Sequence, residues 1–289
     1  MNNIIKREEI KDKLKNLKEV DILVGIPSYN NANTIGNVVR AIQAGLGKYF
    51  PNKKSLIVNS DGGSKDGTQE IVENINLDDS TLILIKHRIK TLHKISISYN
   101  GIPGKGSAFK AIFEIAKYLK AKYCAVVDSD LRSITPEWIE LLIKPQIQNG
   151  FDFVAPYYLR HKFDGTITNS IIYPLTRALY GLKIRQPIGG DFGFSSKLVD
   201  FYLKQDVWDT EVARFGIDIW MTTSSIANNF KVCQAYLGAK IHRPKDPSSD
   251  LTSMFYQVVS TLFNLMIKYY DVWKNIDNTK DVKTFGFKF

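Results

Sequence analysis

Tyr123-Cys124-Ala125-Val126-Val127-Asp128-Ser129-Asp130 is the stretch whose reading decides the fold. An apolar run that stops at two carboxylates reads as a buried strand whose carboxyl end delivers acidic groups into a crevice. Asp128 and Asp130 flank one residue, so on an extended backbone their side chains share a face. Two carboxylates so placed repel unless a proton or cation sits between them. A hard divalent ion, with coordination positions left over for phosphate oxygens, suits the pair. The same Asp-x-Asp could instead be a turn or helix cap, with Thr135-Pro136-Glu137 just beyond it, so the rest of the chain has to decide.

Upstream, Ile22-Leu23-Val24-Gly25-Ile26-Pro27 reads as a parallel-type strand closed by the polar loop Ser28-Tyr29-Asn30-Asn31-Ala32-Asn33. A helix is expected from Thr34 to about residue 50, with Asn33 at its cap. Ser55 to Ser60 is a second strand, followed by Asp61-Gly62-Gly63-Ser64-Lys65-Asp66-Gly67-Thr68 and a helix to about residue 75. Repeated strand-loop-helix units predict an α/β fold with a doubly wound, mostly parallel sheet, and ligands bind beyond the carboxyl ends of its strands. Neither G-x-G-x-x-G nor a Walker motif occurs at these loops, which argues against a dinucleotide cofactor and an ATPase.

A third strand is expected within 81–87 and a short fourth over Ile95–Ser98. Lys105 then stands between Gly104 and Gly106 before a helix expected from about 108 to 120. Backbone N–H groups, the helix dipole and an ammonium converge there, an arrangement that attracts phosphate. A surface lysine in a turn is the plainer reading. A helix over 136–149 and a strand over 153–158 follow the two carboxylates.

From residue 160 the rhythm changes, and an acceptor-binding half is expected over 160–247, after a helix over 1–20 and a donor half over 21–159. Arg160 to Thr166 is a polar loop, 167–180 an apolar helix interrupted by Pro174, and Arg185 to Gly193 a glycine-rich loop that permits close backbone approach to a ligand. Asp218 starts another helix, either as a favourable N-terminal charge or as a functional group. Lys231 to Leu237 is a strand, and His242, just after it, can reach the same crevice as Asp130. A helix from about 250 to 273 carries Met254, Val258, Leu262 and Met266 at four-residue intervals, a stripe for packing or dimer contact; residues 248–289 form this closing segment.

The 289 residues carry a formal charge of +10. That points to a polyanionic partner, but the lysines are dispersed and no RNA-binding signature is present, so phosphorylated small molecules are expected rather than nucleic acid. Cys124 and Cys233, the two cysteines, lie in apolar strands and read as reduced core residues of a cytoplasmic protein. No signal-peptide core or membrane-spanning run is evident.

Taken in order, Pro27-Ser28-Tyr29-Asn30, Asp61-Gly62-Gly63-Ser64 with Asp66-Gly67-Thr68, Gly104-Lys105-Gly106 and Asp128-Ser129-Asp130 resemble the nucleotide-sugar half of GT-A fold glycosyltransferases of the family 2 type. Gly104 to Ser107, Val127 to Leu131, Gln186-Pro187-Ile188-Gly189-Gly190-Asp191 and Leu237 to Arg243 are similar to retaining glucosyl-3-phosphoglycerate synthases. The resemblance spans about residues 21–270. It implies a donor site in which Pro27, Ser28 and Tyr29 border the base, Asp61 with Gly62 meets the uracil, and Lys105 meets the phosphate or sugar. Asp128, with Ser129 beside it in the donor site, would contact the nucleoside or support the metal site, and Asp130 with His242 would hold Mg²⁺ or Mn²⁺. It further implies an acceptor site at Arg160, Gly165, Thr166, Thr168, Gly189, Gly190, Asp191, Arg243 and Lys245, and a homodimer. The family's Gly-Arg-x-Thr is Gly165-Thr166-Ile167-Thr168 here, and its His-Arg-Asn-Arg is His242-Arg243-Pro244-Lys245. A threonine lacks the bidentate grip of arginine on an oxyanion, so Arg160, His161 or Lys245 is expected to compensate.

The chemistry expected is transfer of a hexose, glucose, from UDP-glucose to a small acceptor such as 3-phosphoglycerate, with the metal neutralising charge on the departing diphosphate. Retention by front-face attack needs no side-chain nucleophile. An inverting enzyme with Asp218 as general base is the runner-up. A sugar nucleotidyltransferase would carry a Gly-rich, basic loop after the first strand, where this chain has Ser28-Tyr29-Asn30-Asn31. A nucleic-acid binder would explain the charge but not the paired carboxylates.

Overall fold

The computed structural model describes residues 3–76, 92–99, 101–161, 164–242 and 251–287. Among them the strands are β1 (Ile22–Ser28), β2 (Ser55–Asp61), β3 (Leu92–Ser98), β4 (Tyr123–Val126), β5 (Phe153–Leu159), β6 (Phe192–Ser195), β7 (Val232–Ala239) and β8 (Thr284–Phe285). They form one sheet in the order β3-β2-β1-β4-β6-β5-β7-β8. All pairs are parallel except those of β6, which runs antiparallel to both β4 and β5. The expected mostly parallel sheet is therefore present, but β6 was hidden within the glycine-rich loop. Its four residues are too short to show a period, and Gly193 interrupts the apolar run. A Cβ at Gly193 would lie 2.2 Å from the Leu142 carbonyl, so this close approach of strand to helix requires glycine. The strand expected within 81–87 lies outside the described residues.

Helices cover both faces. α2 (Ala32–Tyr49), α3 (Thr68–Asn74) and α5 (Pro136–Asn149) lie on one, and α4 (Lys105–Tyr118), α7 (Ser196–Leu203) and α8 (Ile217–Ala227) on the other; α1 is Glu8–Leu14 and α6 is Tyr173–Tyr180. All seven β1 residues are buried, as expected of a strand covered on both sides. Their side chains alternate between two cores: Ile22, Val24 and Ile26 pack with Val38, Ile42 and Leu142, while Leu23 packs with Phe109, Phe113 and Trp220. α5 begins with Pro136 at its first turn and stops at Gly150, whose φ is +65°, the usual asymmetry of helix ends.

Two expectations shift in detail. α2 starts at Ala32 rather than Thr34, with Asn31 at the cap position, so Asn33 lies inside the first turn. The lead-in helix docks through buried Ile4, Ile10 and Leu14, tied by the Ile4 N–H to Glu114 and by Arg7 to the Ser98 carbonyl. The closing segment is α9 (Thr252–Lys268) and α10 (Tyr270–Trp273). Val258 and Leu262 are buried, with Met254 and Met266 packed beside them, so that stripe faces this chain's own core. No helix among the described residues is long and apolar enough to cross a membrane.

Candidate active site

β1 pairs with β2 on one side and β4 on the other, and the chain leaves them in opposite directions along the sheet. This switch point opens a crevice beyond their carboxyl ends, which is where Asp128 emerges. Its carboxylate lies 2.8 Å from Lys105 Nζ and 2.7 Å from Lys240 Nζ. Lys105 also reaches Asp218 Oδ2 at 3.2 Å. Lys240 also reaches Asp191 Oδ2 at 2.7 Å and donates to the Gly189 carbonyl at 2.8 Å. Asp191 accepts the Asp128 N–H at 2.7 Å and the Tyr158 hydroxyl. Three carboxylates thus alternate with two ammonium groups in a nearly dry cluster, and with all five ionised one negative charge is left over.

Burial would raise the Asp128 carboxyl, but Lys105 and Lys240 hold it well below the usual carboxylate range. Burial opposes the charge on both lysines, and the facing carboxylates keep each above its ordinary value. The Asp218 carboxyl is raised, first by burial and then by Asp128, against the pull of Lys105. Its Oδ1 is buried without a hydrogen-bond partner.

Asp130 differs from Asp128. It is half-buried and takes no hydrogen bond or ion pair from the described residues. His242 pairs with Leu131 across an isolated antiparallel bridge, and the Arg132 N–H donates to the Ile241 carbonyl at 2.9 Å. The histidine is thereby brought beside the residue that follows Asp130, with its Nε2 3.7 Å from Asp164 Oδ2. A carboxylate and an imidazole fit Mg²⁺ or Mn²⁺ if other oxygens complete the shell. No group of three His, Cys, Asp or Glu side chains able to hold a metal occurs among the described residues, and the phosphate oxygens of a bound diphosphate would fit the remaining positions.

On the base side, Tyr29 is 63% exposed and its ring edge lies 3.2 Å from where a Gly62 Cβ would stand. The ring thus rests against the glycine and leaves most of its surface open for stacking on a planar ring. Pro27 is buried in β1, and Ser28 donates to Asp61 Oδ2 at 2.8 Å. Asp61, expected to meet the base, is fully buried. Its carboxylate accepts from the N–H groups of Gly63 and Ser64, the hydroxyls of Ser28 and Ser64, and Gln69. With its lone pairs so occupied, it folds the loop that carries Gly62. Ser129 is likewise buried, and its hydroxyl donates to Asn31 Oδ1 while its carbonyl accepts from Thr34.

The glycines around Lys105 have a different origin from the one expected. A Cβ at Gly106 would lie 1.8 Å from the Val212 carbonyl and one at Gly104 2.7 Å from that of Ala213. The Gly106 N–H already donates to the Arg214 carbonyl. This helix N-terminus is covered by the 211–214 turn, and the ammonium of Lys105 is what reaches the crevice.

On the acceptor side, Asp191 is a fully buried partner of Lys240, not a ligand contact, because no lone surface remains to it. Gly189 and Gly190 have packing roles: a Cβ would meet Pro156 at 2.2 Å and Asp128 Oδ2 at 2.3 Å respectively. Thr168 is buried, whereas Thr166 is exposed. Arg160 and Gly165 are adjacent, with Arg160 Nη1 3.2 Å from where a Gly165 Cβ would be. Arg243 and Lys245 lie outside the described residues. The sequence reading did not single out Lys240, Tyr158 or Asn31; Lys240, between Ala239 and Ile241 at a strand end, offered the clearest signal.

Residues 23–202 match glycosyl transferase family 2. Two relatives are glucosyl-3-phosphoglycerate synthases: that of Mycolicibacterium smegmatis, 24% identical with 84% of this chain and 77% of the relative covered, and that of Petrotoga mobilis, 24% identical with 93% and 83% covered. The fold is similar to a crystal structure of glucosyl-3-phosphoglycerate synthase from Mycobacterium tuberculosis with Mn²⁺, UDP and glucosyl-3-phosphoglycerate, at TM-score 0.64, 20% identity, and coverage of 89% of this chain and 82% of the other. The architecture is that of the GT-A fold, and with the sequence match extending from β1 to the end of α7, the chain is a glycosyltransferase that belongs to glycosyl transferase family 2.

Proposed function

We propose that this protein transfers glucose from UDP-glucose to a small phosphorylated or hydroxylated acceptor such as 3-phosphoglycerate, with retention and with Mg²⁺ or Mn²⁺. The observation that carries the reading is the contrast between neighbours: Asp128 is consumed by Lys105 and Lys240, while Asp130 has no partner among the described residues and stands beside the His242 bridge. Asp130 and His242 would hold the ion, which when bound supplies a positive charge against the diphosphate that departs. Tyr29 would stack on the base from its place against Gly62, and Asp61 keeps their loops in register. Lys105 presents its ammonium beside Asp128 and Asp218, which orient it and keep it charged. The names of the relatives support the donor and acceptor classes.

A second reading, inversion with Asp218 as general base, is favoured by the raised carboxyl and unpartnered Oδ1 of Asp218. The Lys105 contact opposes it by stabilising the ionised form and lowering its basicity. We propose a homodimer formed by the exposed side of α9, and a reducing cytoplasmic setting, for which the buried unpaired Cys124 and Cys233 speak. The decisive experiment incubates the protein and Mn²⁺ with a panel of nucleotide sugars and with 3-phosphoglycerate, glycerate, glycerol phosphate and free polyols. It reads released nucleoside diphosphate and, by NMR, the anomer formed. Turnover with UDP-glucose giving an α-linked product supports the reading, a β-linked product selects the second one, and release of inorganic pyrophosphate from a nucleoside triphosphate would sink both.

A further inference from the structure

We infer that Arg185 and Arg160 form an oxyanion cradle around the turn 164–169, and that it takes the phosphate or carboxylate of the acceptor; this rests on the small anionic acceptor proposed above. Thr166 removes an arginine from this turn relative to the resembled pattern, yet the fold brings two guanidinium groups to it from other elements. Arg185 Nη2 donates to Asn169 Oδ1 at 2.8 Å. Asn169 in turn donates to the Asp164 carbonyl through its side chain and to the Gly165 carbonyl through its N–H. From the end of β5, Arg160 lies against Gly165 and 3.5 Å from Asp164 Oδ2.

Both guanidinium groups have donor capacity to spare. Arg160 Nε and Arg185 Nη1 are buried with no hydrogen-bond partner among the described residues, a costly condition that an added acceptor oxygen relieves. Each guanidinium is backed by an aromatic ring, Tyr158 at 5.4 Å for Arg160 and Tyr173 at 4.8 Å for Arg185. The rings exclude water from one face and fix the plane of the fork. Of these three charged side chains, two are cationic and only Asp164 is anionic, so the turn carries a positive surplus that suits one oxyanion. Asp164 also lies 3.7 Å from His242 Nε2, which sets the cradle beside the metal end of the donor crevice. An acceptor held by its charged end there would have its hydroxyl close to the donor sugar. Arg185 is accordingly the specificity-determining residue that stands in for the arginine absent at Thr166.

The test is calorimetric titration of the protein, loaded with UDP and Mn²⁺, with glycerol 3-phosphate, glycerate and glycerol. The wild type should bind at least one of the two anions and not glycerol, and the tighter anion identifies phosphate or carboxylate as the preferred group. Arg185→Gln and Arg160→Gln should each weaken that binding tenfold or more while leaving UDP affinity within twofold. Arg185→Lys, which keeps the charge and loses the fork, gives the same reading should the glutamine variant fail to fold. Unchanged anion binding in a folded Arg185 variant overturns the cradle, as does a wild type that binds UDP but neither anion. Anion binding without UDP binding would leave the cradle standing and defeat the nucleotide-sugar reading instead.

Discussion

Lys240 Nζ lies 2.7 Å from Asp128 Oδ2, although the two residues are 112 positions apart in the chain. β4 delivers the aspartate and the end of β7 the lysine, so the pair ties together the two halves of the sheet across the strand-end crevice. Asp191 and the Gly189 carbonyl complete the lysine's environment, and only 3% of its side chain is exposed.

Removing that ammonium should therefore be expensive. Breaking a buried ion pair from one side typically costs about 3–5 kcal/mol, because the partner charge is left uncompensated. Lys240→Met should lower the urea unfolding free energy by about that amount. Lys240→Met with Asp191→Asn should cost less than the sum of the two single variants, because one of the stranded carboxylates is neutralised with it. Strict additivity in the urea titrations would show that the contact carries no coupling.

Gly190→Ala probes the same cluster from the backbone. Gly190 has φ +86°, and an added Cβ would stand 2.3 Å from Asp128 Oδ2. The combined strain and overpacking should cost about 1–3 kcal/mol and displace Asp128 from Lys105. A crystal structure of the variant should show Asp128 moved, and turnover should fall at least tenfold. Unchanged turnover with Asp128 in place would mean that the backbone absorbs the extra methyl.

Asp130 and Asp128 should separate experimentally. Asp130→Asn disturbs no contact among the described residues, so its melting temperature should match the wild type in metal-free buffer. The stabilisation that Mn²⁺ plus UDP gives the wild type should be lost, along with turnover. Asp128→Asn, which weakens contacts to both Lys105 and Lys240, should instead destabilise the protein without any ligand present. Equal metal-free melting temperatures for the two variants would contradict the division of labour drawn between them.

A large part of this site was legible because strand ends are legible. The runs ending at Ser28, Asp61 and Asp130 mark buried parallel strands, and polar groups at their carboxyl ends fall on the crevice by geometry alone. What stayed hidden depends on long-range pairing. Nothing local tells that Asp61 spends its carboxylate on its own loop, or that Gly104 and Gly106 are small because the 211–214 turn lies on them. Lys240 reads as an ordinary strand-end lysine until β7 is placed two strands away from β6, beyond β5. Arg185 was similarly invisible, since its guanidinium donates to Asn169, in a segment read as an apolar helix.

Acid should weaken the α2–α5 contact at Glu137. Burial pushes the Glu137 carboxyl up, but hydrogen bonds from Lys48, Thr135 and Tyr49 bring it down to about 2 from 4.5. Its folded value is depressed, so the stabilisation it gives is present above pH 4.5 and is lost as pH falls toward 2. Both partners are about half exposed, so solvent screens the pair and the effect should shrink in high salt. Unfolding followed from pH 6 to pH 3 should show a steeper loss for the wild type than for Glu137→Gln. Parallel curves would assign the acid sensitivity elsewhere.

The last expectation concerns the outer side of α9. Tyr256, Phe263 and Ile267 of α9 and Tyr270 at the start of α10 are 69%, 50%, 78% and 53% exposed, and the first three follow one another at spacings of seven and four residues, which places them along one helix face. An exposed apolar stripe of this length, opposite the buried Val258 and Leu262, is a surface that association would cover. A second copy of the chain related by a two-fold axis would set the stripe against itself, so one substitution acts twice in the interface. Light scattering should return about twice the chain mass of 32.8 kDa, and Phe263→Asp with Ile267→Asp should halve it while leaving the circular dichroism spectrum unchanged. A wild type that stays monomeric at micromolar concentration would show that this face is not a dimer contact, and would leave the donor site, which draws all its described residues from one chain, unaffected.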